Sequence, residues 1–140
     1  LRAGSSAVPG EVGRGCVRTP AATPDPPMAD RLDISADDDD AKLLAVVVGY
    51  YHDTLKATPD ALAYLTRRGI DNPAVVEHFR VGFADRSLGL KLPPKQTKSG
   101  EAIRTRLQQL GLFRASGHEH FRGSLTFPVP ASDGSGRIVD

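Results

Sequence analysis

Three short runs hold side chains able to do chemistry. In His118-Glu119-His120 the imidazoles occupy alternate positions, so on a strand they share a face and could approach one metal ion. Two imidazoles without a third ligand make only a loose site, and Glu119 would point to the opposite face. Asp37-Asp38-Asp39-Asp40 offers carboxylates for a cation. Its simpler reading is a solvated acidic cap, because negative charge suits the N-terminal end of a helix dipole. Tyr50-Tyr51-His52-Asp53 has the residue types of an acid–base pair, but neighbours on a helix diverge by about 100°. No Ser-His-Asp arrangement, Walker loop or dinucleotide glycine pattern is recognisable, so an unrelated, self-sufficient enzyme is not indicated.

Charge is distributed unevenly behind a formal net value of +1. Residues 1–40 carry four Arg against eight Asp and Glu, while residues 41–140 carry fourteen Lys and Arg against nine acids. The first forty residues, rich in Gly, Ala, Pro and Ser and then in Asp, offer too little apolar surface to offset the entropy of ordering them, and are expected to be a disordered acidic tail. The chain begins with Leu1, and Met28 stands just before the composition improves, so part of the tail is expected to be incomplete or to lie outside the natural reading frame. Cys16, the single cysteine, lies in that tail, which excludes a disulfide framework and a cysteine-based zinc site within the chain. A reducing, cytoplasmic setting is the default expectation. No apolar run reaches signal-peptide or membrane-span length. With 140 residues and no Trp, one small domain at 41–140 is expected after the tail.

The elements follow from periodicity and punctuation. Leu44, Val47, Val48, Tyr51 and Leu55 recur at spacings of three and four, predicting a helix that ends near Lys56. Thr58-Pro59-Asp60 reads as N-cap, first-turn proline and first-turn acid of a second helix, carried to Arg68 and stopped by Gly69. Asp71-Asn72-Pro73 starts a third, with Val75, Val76 and Phe79 on its apolar edge. Arg80 to Ala84 alternates as a short strand, residues 87–99 read as a surface loop, and Glu101 to Leu110 as a helix closed by Gly111. That helix turns Ile103, Leu107 and Leu110 inward, with Arg104 and Arg106 towards solvent. Ser124 to Val129 alternates with a period of two and meets Asp133-Gly134-Ser135-Gly136 and then Arg137-Ile138-Val139, which predicts a hairpin. Phe79 and Phe127 are expected in the core. The fold class expected is α+β, a small helical layer followed by a short antiparallel sheet. Two strands alone are marginal, and the chain stops where a further strand is expected, so it reads as the front part of something larger.

Five segments in this order carry a family resemblance: Tyr51 to Leu55, Ala61 to Ile70, Phe79 to Ala84, Leu110 to Leu112, and Phe121 to Val129. Together, over roughly residues 44–140, they resemble the N-terminal lobe of the catalytic core of bacterial DnaG-type primases. The similarity extends especially to the primase-like proteins of mobile elements that have a CHC2 zinc finger and a Toprim domain. The resemblance implies a zinc ribbon before this lobe and a Toprim domain, holding Mg or Mn, beyond Asp140. It implies a full-length enzyme that makes RNA primers on single-stranded DNA by metal-assisted nucleotidyl transfer, with a replicative helicase as a partner of the other regions. This chain alone would lack the catalytic groups and would supply one wall of the template groove. The alternative is a non-catalytic DNA-binding or protein-docking module of a mobile element, derived from the same lobe. A helical partner-binding domain without a nucleic-acid role is a third reading.

A groove for single-stranded DNA needs cations along the phosphates and aromatic faces for bases. From Arg80 to Arg122 nine Lys and Arg stand against three acids, interspersed with Phe83, Phe113 and Phe121. Arg80, Lys95, Lys98, Arg104, Arg114, His120 and Arg122 are therefore the candidate nucleic-acid contacts. Arg122 matches the second arginine of the family's Arg-Phe-Arg-x-Arg element, and its guanidinium offers a bidentate fork for phosphate. His120 stands in place of the first arginine and Ser124 in place of the third, which implies lower phosphate affinity and a pH-dependent contribution from His120.

Overall fold

The computed structural model describes residues 31–139. Residues 1–30, with Cys16 and Met28, lie outside the described part, as does Asp140. Helices α1 (Asp40–Ala57), α2 (Pro59–Arg67) and α3 (Pro73–His78) lead into strand β1 (Gly82–Ala84). Helices α4 (Leu88–Lys91) and α5 (Lys98–Gln109) follow, and then strand β2 (Ser124–Thr126). Among the described residues, no helix is long and apolar enough to cross a membrane.

Start signals act where the sequence places them. Asp39 accepts the Lys42 amide at 2.7 Å and caps α1. Thr58 closes α1 and opens α2 ahead of Pro59, and Asn72 caps α3 by accepting the Ala74 amide at 2.9 Å. The ends of α2, α3 and α5 share one device. In each, a left-handed residue follows the last turn and two amides return to the helix: Gly69 and Ile70 to Thr66 and Leu65, Arg80 and Val81 to Glu77 and Val76, Gly111 and Leu112 to Gln108 and Leu107. Glycine fills the left-handed position twice; in α3 it is Arg80, at φ 47°.

β1 and β2 pair antiparallel, with Gly82 opposite Thr126, Phe83 opposite Leu125 and Ala84 opposite Ser124. β1 crosses α1 closely at Gly82, where a Cβ would stand 2.6 Å from Tyr51 Cβ and 2.7 Å from Thr126 Oγ1. α1 is the shared wall of two apolar clusters. Leu43, Val47 and Tyr51 pack with Ala84, Leu88, Leu92, Ile103, Leu107 and Phe113, while Leu55 packs with Ala61, Leu65, Val76 and Val81. The architecture is α+β, as the pattern of elements indicates.

Five sequence expectations need correction. Ser124–Thr126 pairs with β1; the expected hairpin forms further on, where the Ala131 amide meets Arg137 O at 2.7 Å and the Val139 amide meets Val129 O at 2.9 Å. The segment 87–99 is not all surface loop, because α4 turns Leu88 inward and Leu92 follows it into the core. Phe79 and Phe127 are 54% and 55% exposed, so neither is core; Phe79 rests instead against the His78 ring. Arg104 and Arg106 are half-buried and bonded within the fold, rather than turned to solvent. Residues 31–39, assigned by composition to the tail, pack on the domain: Ile34 is buried and the Leu32 amide bonds to Lys91 O at 3.0 Å.

Candidate nucleic-acid interface

Beyond α5 the chain turns at Gly111, buries Leu112 and Phe113, and makes a tight excursion through 114–118 before returning at Glu119, which bridges antiparallel to Phe113. The Arg114 amide closes this excursion on His118 O at 2.8 Å. Side-chain alternation then sorts the three residues 118–120: His118 and His120 face outward, and Glu119 is buried. Its Oε1 accepts the Tyr51 hydroxyl at 2.8 Å, while Oε2 has no partner. Burial pushes the Glu119 carboxyl above its ordinary value, partly offset by the Tyr51 hydrogen bond, and the Tyr51 hydroxyl is pushed up by the same burial. Glu119 thus ties this segment to α1 and is turned away from both imidazoles.

The other two runs are structural as well. Tyr50 bonds to Ser87, Tyr51 to Glu119, and His52 lies between Val81 O at 2.8 Å and Glu77 at 2.9 Å, with Asp53 exposed. His52 and then Lys56 hold the Glu77 carboxyl below its ordinary value. In the acidic run, Asp39 caps α1, Asp38 pairs with Lys42 at 2.7 Å and Asp40 pairs with Arg106 at 2.6 Å. Among the described residues, no group of three or more His, Cys, Asp and Glu could hold a metal ion.

The candidate cations fall in three places. Arg80 is exposed beyond α3, with its guanidinium over Gly49 of α1. Lys95 and Arg104 line a small cavity of about 200 Å³ with Phe113 and Ala115 to Gly117, beside Arg114; Lys98 begins α5 and is exposed. Arg104 is the least available, because it donates to Gly89 O at 2.9 Å and its Nε is buried without a partner; burial also lowers its pKa. His120 and Arg122 are exposed on the segment that enters β2. Arg80, Lys95, Lys98, Arg114 and Arg122 make no ion pair among the described residues.

Two clefts flank the 120–129 segment. One, of about 480 Å³, opens towards α1 and includes Val48, His120, Phe121, Val129 and Val139. The other, of about 830 Å³, opens towards α2 and includes Tyr64, Arg67, Arg68, Phe83 and Phe127. Phe127 lines both. Sequence reasoning omits Tyr64, Arg67 and Arg68 because it seeks cations only from Arg80 onward; their spacing of three and four on α2 is the signal that brings them together.

The family model described as DNA primase catalytic core, N-terminal domain, matches residues 50–139. No curated protein and no solved structure matches the chain.

Proposed function

This chain belongs to the family of DNA primase catalytic-core N-terminal domains, and from that premise we propose that it binds the single-stranded DNA template of a primase through the cations from Arg80 to Arg122. Arg80 is the observation that carries this reading. A left-handed backbone costs an L-residue about 1–2 kcal/mol that glycine avoids, and two other helices of this chain use glycine at the equivalent position. An arginine is held there, exposed and without an ion pair among the described residues, where glycine would make the same turn without strain. Strain kept at an exposed cation points to a ligand. Arg86 repeats the pattern, exposed and at φ 76°.

The catalytic metals do not fit this chain's described residues. They contain no cluster of donors, and Glu119, Glu77 and Asp40 already have partners. No step of nucleotidyl transfer is assigned to them. Their role in primer synthesis is to hold template phosphates.

The test is a titration of single-stranded DNA at several salt concentrations. Arg122→Ala and Arg80→Gly should each weaken binding alike for all sequences and make the log–log salt slope shallower by about 0.7 per lost contact. Unchanged affinity and slope in both variants would refute the placement. Phe127, Val129 and Val139 are exposed along the cleft that opens towards α1, which favours the protein-docking module as the second reading. Complete absence of DNA binding would decide for it.

A further inference from the structure

The cleft between α2 and the sheet has the composition of a nucleotide site. Tyr64 is 40% exposed on its wall, and the Arg68 Nε donates to the Tyr64 hydroxyl at 3.1 Å. The Arg68 and Arg67 guanidinium carbons stand 5.1 and 6.0 Å from the ring centroid, so two cations lie beside one aromatic ring. Neither arginine makes an ion pair among the described residues, and Asp60 is the one acid lining the cleft. Phe127, 55% exposed, contributes a second aromatic surface from beyond β2, and the half-buried Phe83 a third from β1. Gly123 and Ser124 form part of the lining, directly after Arg122.

A ligand that satisfies this lining is planar and aromatic at one end and anionic at the other. We propose that the cleft receives one unpaired nucleotide unit, with its base against Tyr64 and Phe127 and its phosphate at Arg67 and Arg68. The volume of about 830 Å³ lies within the range of small-molecule sites. The inference rests on the single-strand reading above and extends the path of the strand past Arg122 onto α2. Base stacking is tolerant of sequence because every base has a π-face, so the site adds affinity without adding sequence preference.

The experiment uses the whole 140-residue chain and three probes: a fluorescent oligothymidylate, the same strand with abasic positions, and a free nucleoside triphosphate. The variants are Tyr64→Leu, Arg67→Gln and, as the control for the other contacts, Arg122→Ala, each checked for folding by circular dichroism. Tyr64→Leu should weaken the normal strand roughly tenfold, the scale of one lost base–aromatic stack, reduce its advantage over the abasic strand by the same factor, and leave the salt slope unchanged. Arg67→Gln should make the slope shallower by about 0.7. If Tyr64→Leu keeps the full preference for the normal strand while Arg122→Ala still weakens binding, the cleft assignment is overturned and the strand reading stands. If only the free triphosphate binds, and Tyr64→Leu abolishes it, the base-and-phosphate chemistry stands and the strand reading fails. Binding of none of the three probes overturns the cleft.

Discussion

Tyr51 and Glu119 place two ionisable side chains side by side beneath the segment 118–122, and only one of the two carboxyl oxygens has a partner. Burial raises the Glu119 pKa in the folded state above the ordinary 4.5, so the native protein holds that proton more tightly than the unfolded chain. The sign follows: the penalty is absent well below pH 4.5, grows as pH rises through the window up to the raised value, and is fully present only above that value. Glu119→Gln keeps an oxygen for the Tyr51 hydroxyl and removes the charge. The variant should therefore melt higher than the wild type at neutral pH, with the gain shrinking towards pH 4; a gain that does not depend on pH would show that Glu119 carries no such strain. Phe127 makes the opposite kind of prediction. A ring 55% exposed has little burial to lose, so Phe127→Ala should change unfolding free energy by under about 1 kcal/mol in a denaturant titration. Alternation in the sequence could not reveal this, since an apolar residue at an inward-reading position looks the same whether a layer covers it or leaves it open. The outward turn of His118 and His120, by contrast, follows from alternation alone.

Helix starts and stops were legible because each has a chemical signature: Thr58-Pro59, Asn72-Pro73, Gly69 and Gly111 all act where they stand. The end of α3 was not, since Arg80 supplies a left-handed turn that only glycine announces. Replacing it should therefore separate fold from function. Arg80→Gly should raise unfolding free energy by about 0.5–1 kcal/mol, the strain relieved less the entropy glycine adds to the unfolded chain, while it weakens DNA binding. Loss of stability in that variant would mean that the arginine serves the fold. α4 escaped notice because four residues cannot display a helical period. Strand pairing was equally hidden: β1 and β2 have three residues each and lie far apart in sequence, so register rests on contacts the pattern does not record. Those contacts converge on Gly82, whose missing side chain lets β1 lie against α1. The obstruction to a methyl group there includes Tyr51 backbone carbon at 2.9 Å, which cannot swing aside. Gly82→Ala should cost about 1–3 kcal/mol, the usual scale of overpacking, as read by chemical denaturation.

At the scale of the whole molecule, the boundary of the folded unit differs from both sequence composition and the span of the family match. The match begins at residue 50, inside α1, yet Leu43, Leu44 and Val47 of that helix belong to the main core. The packed chain reaches further back, to Leu32, where a strap of eight residues precedes the helix. Ile34 closes the core, the Leu32 amide bonds to Lys91 O, and Arg106 of α5 holds the strap by donating to Ala36 O at 3.1 Å and to Asp38 O, with Asp40 at 2.6 Å. Composition hides the strap because its three apolar side chains, Leu32, Ile34 and Ala36, stand among acids in a segment too short for their alternation to stand out. The acids are not surplus charge, since Asp38, Asp39 and Asp40 each have a partner. A chain beginning at Arg31 should accordingly be more stable than one beginning at Asp40, and Ile34→Ala should account for about 2 kcal/mol of that difference, near the lower end for a buried Ile at the margin of a core. Arg106→Ala should release the strap without shortening it and lower the melting temperature in the same direction. If the chains beginning at Arg31 and Asp40 melt together, the strap lies on the domain without stabilising it, and the folded unit starts with α1.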